Sequence, residues 1–234
     1  LVQSLHDHPR LKQNVQSMVN GMERDFKKYF MQDDVLPGFI QMNQQHQVKP
    51  IIHPSDRTTG IAYRLLPLQQ GILSNIFSPK QINRALQLIK DNLAFPDGVR
   101  LMNRPAAYTG GVSHIFKRAE QSACFGREIG LMYTHAHIRY AEALAAVQLD
   151  DQAWEALMKV NPINLQQRVK NAALRQANTY FSSSDGDFAD RYAAAANFDK
   201  LKTGAATVKG GWRLYSSGPG IYVAVLQKLL NKNV

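Results

Sequence analysis

A chain of 234 residues and 26.3 kDa is long enough for one large domain or two small ones, each with a sizeable core. Its 44% apolar and 20% charged fractions are those of a globular chain, no run approaches a membrane span, and the opening LVQSLHDHPR lacks the order of a secretory leader. One cysteine, Cys124, excludes an internal disulfide and a cysteine-based zinc site, and the net charge of +10 lies in scattered pairs such as Lys27-Lys28 that argue for a small-anion pocket over nucleic acid.

From Pro9 to Phe30 the apolar residues Leu11, Val15, Met18, Val19, Met22 and Phe26 recur at spacings of three and four, the pattern of an amphipathic helix. Pro37-Gly38 signals a turn, and the polar stretch from Gln41 to Thr59, with Pro50 and Pro54, reads as a long irregular loop of the kind that carries function. Ser78, Pro79 and Gln81 together announce a helix start, with Ile82, Leu86, Ile89 and Leu93 on one face and Pro96-Asp97-Gly98 as its stop. A longer helix is expected over about Arg127 to Val147, then a short one capped by Asp150 or Asp151 and closed by Asn161-Pro162. Another is expected over Leu165 to Gln176, a polar loop over Ser182 to Asp187, and a last helix over about Gly220 to Leu230. Six or seven helices without period-two alternation make an all-α fold. Function is expected in the loops, rich in Gly, Ser, Tyr, Arg and His. The chain opens on Leu1 rather than Met, as a piece of a longer polypeptide would.

Three groups of residues carry chemistry. Gly210-Gly211-Trp212-Arg213-Leu214-Tyr215-Ser216-Ser217-Gly218-Pro219-Gly220 leads into the last helix, whose first-turn N–H groups lack internal partners. That arrangement suits a phosphate or sulfate, with Arg213 as countercharge, although a Gly-rich tight turn with a serine N-cap explains it equally. On a continuous helix Glu128 and His135, seven apart, share a face two turns apart; a sugar hydroxyl and an anion are the matching ligands, and a satisfied core histidine is the plain alternative. His135 and His137 diverge too far on a helix to share a metal. The His53–Arg57 stretch with Tyr63 and Arg64 offers donors, acceptors and an aromatic ring for a carbohydrate, or simply an Asx or Ser turn. No nucleophile elbow, P-loop, HExxH or dinucleotide fingerprint occurs.

Taken in order, KPIIHPSDRTTGIAYRLLP, FPDGVRLMNRPAAY, FKRAEQSACFGREIGLMYTHAHIRYAEA, NPIN at 161–164, YFSSSDGDF and VKGGWRLYSSGPGIY resemble the C-terminal part of inverting glycoside phosphorylases. The family is the cellobiose-phosphorylase-like glycoside hydrolase family 94, and the branch it most resembles is that of the 1,2-β-oligoglucan phosphorylases. The resemblance implies a single unit over 1–234, the C-terminal half of an (α/α)6-barrel catalytic domain, and phosphorolysis of a β-glucosidic bond to α-glucose 1-phosphate. Inorganic phosphate is then a co-substrate, with no cofactor or metal. It places phosphate on His135, Ser216, Ser217 and Gly218 and the sugar on Glu128; residue chemistry adds Arg213 on the phosphate side and His53, Asp56, Arg57, Tyr63, Arg64 and Arg104 on the β-glucan side. The family's general-acid aspartate has no counterpart in residues 1–234; Asp56 and Asp185 are the tempting substitutes, neither in a matching segment. The chain alone is therefore expected to be inactive and to need the missing N-terminal part or a second copy as a homodimer. A cytoplasmic location, no nucleic acid and no membrane span complete the expectation. The alternative is a non-catalytic β-glucan-binding module, or one associated with a cyclic-glucan synthase.

Overall fold

The computed structural model describes residues 7–31, 33, 35–105, 131–211 and 217–231. Among them helices dominate: α1 (Pro9–Tyr29), α2 (Leu65–Leu73), α3 (Pro79–Asn92), α4 (Thr134–Ala146), α5 (Asp150–Val160), α6 (Leu165–Arg168), α7 (Arg191–Thr203) and α8 (Ser217–Asn231). Short strands connect them: β1 (Phe39–Met42), β2 (Val48–Ile51), β3 (Ala94–Phe95), β4 (Gly98–Val99), β5 (Met132–Tyr133), β6 (Ser183–Gly186) and β7 (Val208–Gly210). None of the described helices is long and apolar enough to cross a membrane.

The strongest local signal holds. Ser78 and Gln81 form a reciprocal capping box with Pro79 in the first turn of α3, and Ala85, Leu88 and Ile89 are buried on its inner face. Elsewhere the expected elements need correction. The stretch from Gln41 to Thr59 is not one irregular loop, because β1 and β2 pair antiparallel with Phe39 opposite Ile51 and Met42 opposite Val48. Asp150 and Asp151 do not cap α5; they sit in its first turn, where their charge favours the dipole, and Leu149 is the N-cap. The helix expected to run to Gln176 ends at Arg168, and the Ser182–Asp187 tract contains strand β6. The last helix starts earlier than Gly220, at Ser217. Helix α2 and helix α7, capped by Asp190 on the N–H groups of Tyr192 and Ala193, went unread.

At the centre lies α4. Its Ala136, Ala141, Ala143 and Ala145 are buried, and these small side chains let α2, α5 and α8 approach closely. One apolar cluster joins α2, α3, the hairpin and one side of α4. A second lies between α4, α5 and α8, and a third gathers Phe95, Leu165, Val169, Ala172, Leu201 and Val208.

Candidate functional site

The motif-bearing stretches lie side by side as one hydrogen-bonded strip. Arg64 bridges Met102 antiparallel, and Leu65 N–H donates to Leu101 O at 2.8 Å. Leu101 N–H in turn donates to Leu131 O at 3.2 Å, just ahead of β5. Strand β5 pairs with β6, Tyr133 opposite Ser183, and β6 pairs with β7, Ser184 opposite Gly210. The pairing extends one residue further through Gly211 N–H on Ser183 O at 2.9 Å. Polar backbone in a buried place must be paired, and here the pairing forces five distant segments into one layer. Ser182, Ser183 and Ser184 are buried within it.

Two of the residues expected on the anion, His135 and Gly218, lie in described segments. Strand β5 runs directly into α4, with Thr134 N–H donating to Ser182 O at 2.9 Å, so His135 stands in the first turn of α4. Met132 and Tyr133 are drawn into the sheet, so the helix that carries His135 begins at Thr134; the part of the expected helix from Arg127 to Gly130 lies outside the described residues. The His135 ring stacks on Tyr133, centroids 5.8 Å apart, and its Nδ1 is buried without a hydrogen-bond partner among the described residues. Burial, then the positive charge of Arg139, hold this imidazole below the ordinary histidine pKa, so it is neutral at pH 7 and has one N–H to give.

Gly218 in the first turn of α8 lies so close to the Tyr180 phenol that a Cβ there would collide with it. Burial, then Tyr133, push the Tyr180 pKa upward. Glu142 ties the two helices together: it accepts from Arg139 on α4 and from Lys228 of α8, the latter at 2.5 Å. Arg213, Ser216 and Glu128 lie outside the described residues, as does the side chain of Ser217.

The residues expected on the glucan side split by environment. Asp56 is buried, and its carboxylate accepts from Ile52 N–H at 2.9 Å, Thr58 N–H at 2.7 Å, Thr59 N–H at 3.3 Å and the Thr59 hydroxyl at 2.5 Å. Desolvation raises its pKa, but these donors outweigh it and the net shift is downward, so it is an ionised brace, not a proton donor. The brace has a purpose: Ile52, β-branched and fully buried, is held at φ +54°, a conformation such residues avoid. His53 is also engaged, with Nδ1 2.7 Å from the Ser55 hydroxyl and Nε2 3.0 Å from Asp33 Oδ2. Arg57 and Arg104 are exposed, whereas Tyr63 and Arg64 are half-buried. Arg64 donates to Gly38 O at 3.1 Å, and burial lowers its pKa. Asn103, missed in the sequence, accepts from the N–H groups of Ala62 and Tyr63 at 3.0 Å each and so fixes Arg104 beside Tyr63.

Asp185 on β6 is the other carboxylate of interest. Burial pushes its pKa up to about 6 against the pull of Arg100, and Gly186 N–H donates to it at 2.8 Å. Arg100, fully buried, pairs with Asp97 at 3.1 Å over the face of Phe95. Among the described residues no group of three or more histidine, cysteine, aspartate or glutamate side chains is placed to hold a metal ion.

Over 209 residues, 89% of this chain, the sequence is 53% identical to a 1,2-beta-oligoglucan phosphorylase from Listeria innocua serovar 6a. Over the matched stretch the chain is homologous to that phosphorylase. The matched stretch is only 19% of the Listeria phosphorylase, so this chain spans about a fifth of the relative's length. No family model matches the chain.

Proposed function

We propose that this chain forms part of an inverting glycoside phosphorylase that cleaves β-1,2-glucan with inorganic phosphate and releases α-glucose 1-phosphate. The observation that supports the reading is the buried His135 Nδ1 left without a hydrogen-bond partner among the described residues, in the helix turn that follows β5. His135 donates its one N–H to a phosphate oxygen, while the free N–H groups opening α8, at Ser217 and Gly218, take the others at the positive end of the helix dipole. The resemblance assigns Ser216 to the same phosphate, and residue chemistry adds Arg213. Phosphate then attacks the anomeric carbon from the face opposite the leaving oxygen, the glycosidic C–O bond breaks, and a carboxylic acid protonates that oxygen. Phosphate itself is the nucleophile, so no base is needed to activate water and no cofactor or metal takes part.

On the sugar side, Glu128 faces the glucosyl unit; Arg57, Tyr63, Arg64 and Arg104 meet the glucan, and His53 and Asp56 shape the loop that carries them. The general acid comes from polypeptide beyond residues 1–234. This reading makes the chain a single unit of a larger (α/α)6-barrel domain, inactive by itself. It is supported by the kinship with a named oligoglucan phosphorylase and by the unpartnered nitrogen of His135.

Isothermal titration of the chain with inorganic phosphate tests the reading. Binding weakened at least tenfold in both His135→Ala and Ser217→Ala, with melting temperatures unchanged, is the expected outcome. Equal affinity in all three proteins would refute it. Binding of β-1,2-glucan with no phosphate affinity would favour a carbohydrate-binding module instead.

A further inference from the structure

We propose that the apolar stripe of α1 is a docking surface for phosphorylase polypeptide lying outside these 234 residues, packed as neighbouring helices of the same catalytic unit. The inference rests on the phosphorylase reading above and adds the surface through which the parts join. No residue of α1 is buried over its whole length from Pro9 to Tyr29. Met18 and Met22 are each 67% exposed, and Leu11 and Val19 are about half exposed on the same face. The helix meets the body near its C-terminal end, where Phe26 stacks on Phe30 at 5.2 Å and both pack on the first core cluster. A single helix held at one end is marginal in water, and its stripe is of the size and kind that marks an interface.

The character of the helix selects the occupant. From Gln13 to Met22 there is no charged residue on any side, only amides, a serine, a glycine and the apolar stripe. The charge of α1 is confined to its two ends, Arg10 and Lys12 before this stretch and the Arg24–Asp25 and Glu23–Lys27 pairs after it. Depletion of charge is the mark of a buried protein interface. Gly21 leaves open space around its Cα, so a second helix can come close. The matching amount of protein exists, because the homologous stretch is 19% of the Listeria phosphorylase and four-fifths of that enzyme lies elsewhere.

The test uses two settings: the 234-residue chain alone, and a full-length chimera in which it replaces the matched stretch of the Listeria phosphorylase. In the isolated chain Met18→Lys with Met22→Lys is expected to leave the melting temperature and the monomeric sedimentation unchanged, since both side chains are already in water. In the chimera the same pair is expected to lower the melting temperature by more than about 5 °C. Equal melting of the two chimeras would overturn the proposal. So would a dimer of the isolated chain that the substitutions dissociate, or binding to phosphatidylserine vesicles that they abolish. If the chimera does not fold, co-expression of the tagged chain with the remainder of the Listeria phosphorylase decides: capture lost on substitution supports the surface, and no capture rejects it. Phosphate titration of the isolated chain reads His135 independently of α1, so the two ideas fail separately.

Discussion

His135 and His137 differ by two positions and by everything that matters chemically. The His137 ring is buried and fully engaged: Nδ1 accepts from Val99 N–H at 3.0 Å, and Nε2–H donates to Ala156 O at 2.7 Å. Gly98 adjoins it at φ +134°, in a conformation and a space that only glycine tolerates. Burial pushes the His137 pKa down to about 4. Between pH 6.5 and about 4 the unfolded chain therefore takes up a proton that the folded chain refuses, and stability falls as the solution is acidified. Across that window the loss is on the order of 3 kcal/mol, and denaturant unfolding of wild type and His137→Gln at pH 7, 5.5 and 4.5 should show the slope flattened in the variant. Asp185 acts with the opposite sign. Its folded-state pKa is about 6 against 3.8 unfolded, so acidification from 6 to 3.8 stabilises the fold, and Asp185→Asn should remove that gain in the same titration. Asp56 belongs with the braces: Asp56→Ala leaves the Ile52 N–H orphaned in a buried place and should cost about 2–4 kcal/mol of unfolding free energy.

At the scale of elements, what could be read in advance was what is encoded locally. The Ser78–Gln81 box is settled by side chains three residues apart, and Ser78→Ala should cost about 1 kcal/mol in the same unfolding assay. The stripe of α1 was legible from its period alone, although nothing in that period told that it would face water. The misreadings share a cause. Met132-Tyr133 and Ser183–Gly186 are strands only because each finds the other across some fifty residues, and a pairing of two residues leaves no alternation to detect. Thus Arg127 to Val147 looked like one helix, and the serine tract like a loop. Of the candidate site, His135 and Gly218 stood out by residue type, whereas the stacking of His135 on Tyr133 and the closeness of Gly218 to Tyr180 come from packing that the sequence does not announce. Asp56 was misleading, since an Asp-x-Thr-Thr turn and a sugar-binding carboxylate look alike until the donors are located.

For the molecule as a whole, the helices pack around α4, the strip of short strands crosses their ends, and α1 projects with its apolar face in water. The same chain is 53% identical to a stretch of an enzyme about five times longer. On the function proposed above, this portion contributes the anion-holding corner of a larger catalytic unit. The most direct measurement is NMR of the His135 imidazole during titration with inorganic phosphate. A phosphate dianion beside the ring favours its protonated form, so the account predicts a saturable shift at His135 and a rise of its pKa from below 6.5, with His137 unmoved. Phosphate that leaves the His135 resonances and pKa where they were would contradict it.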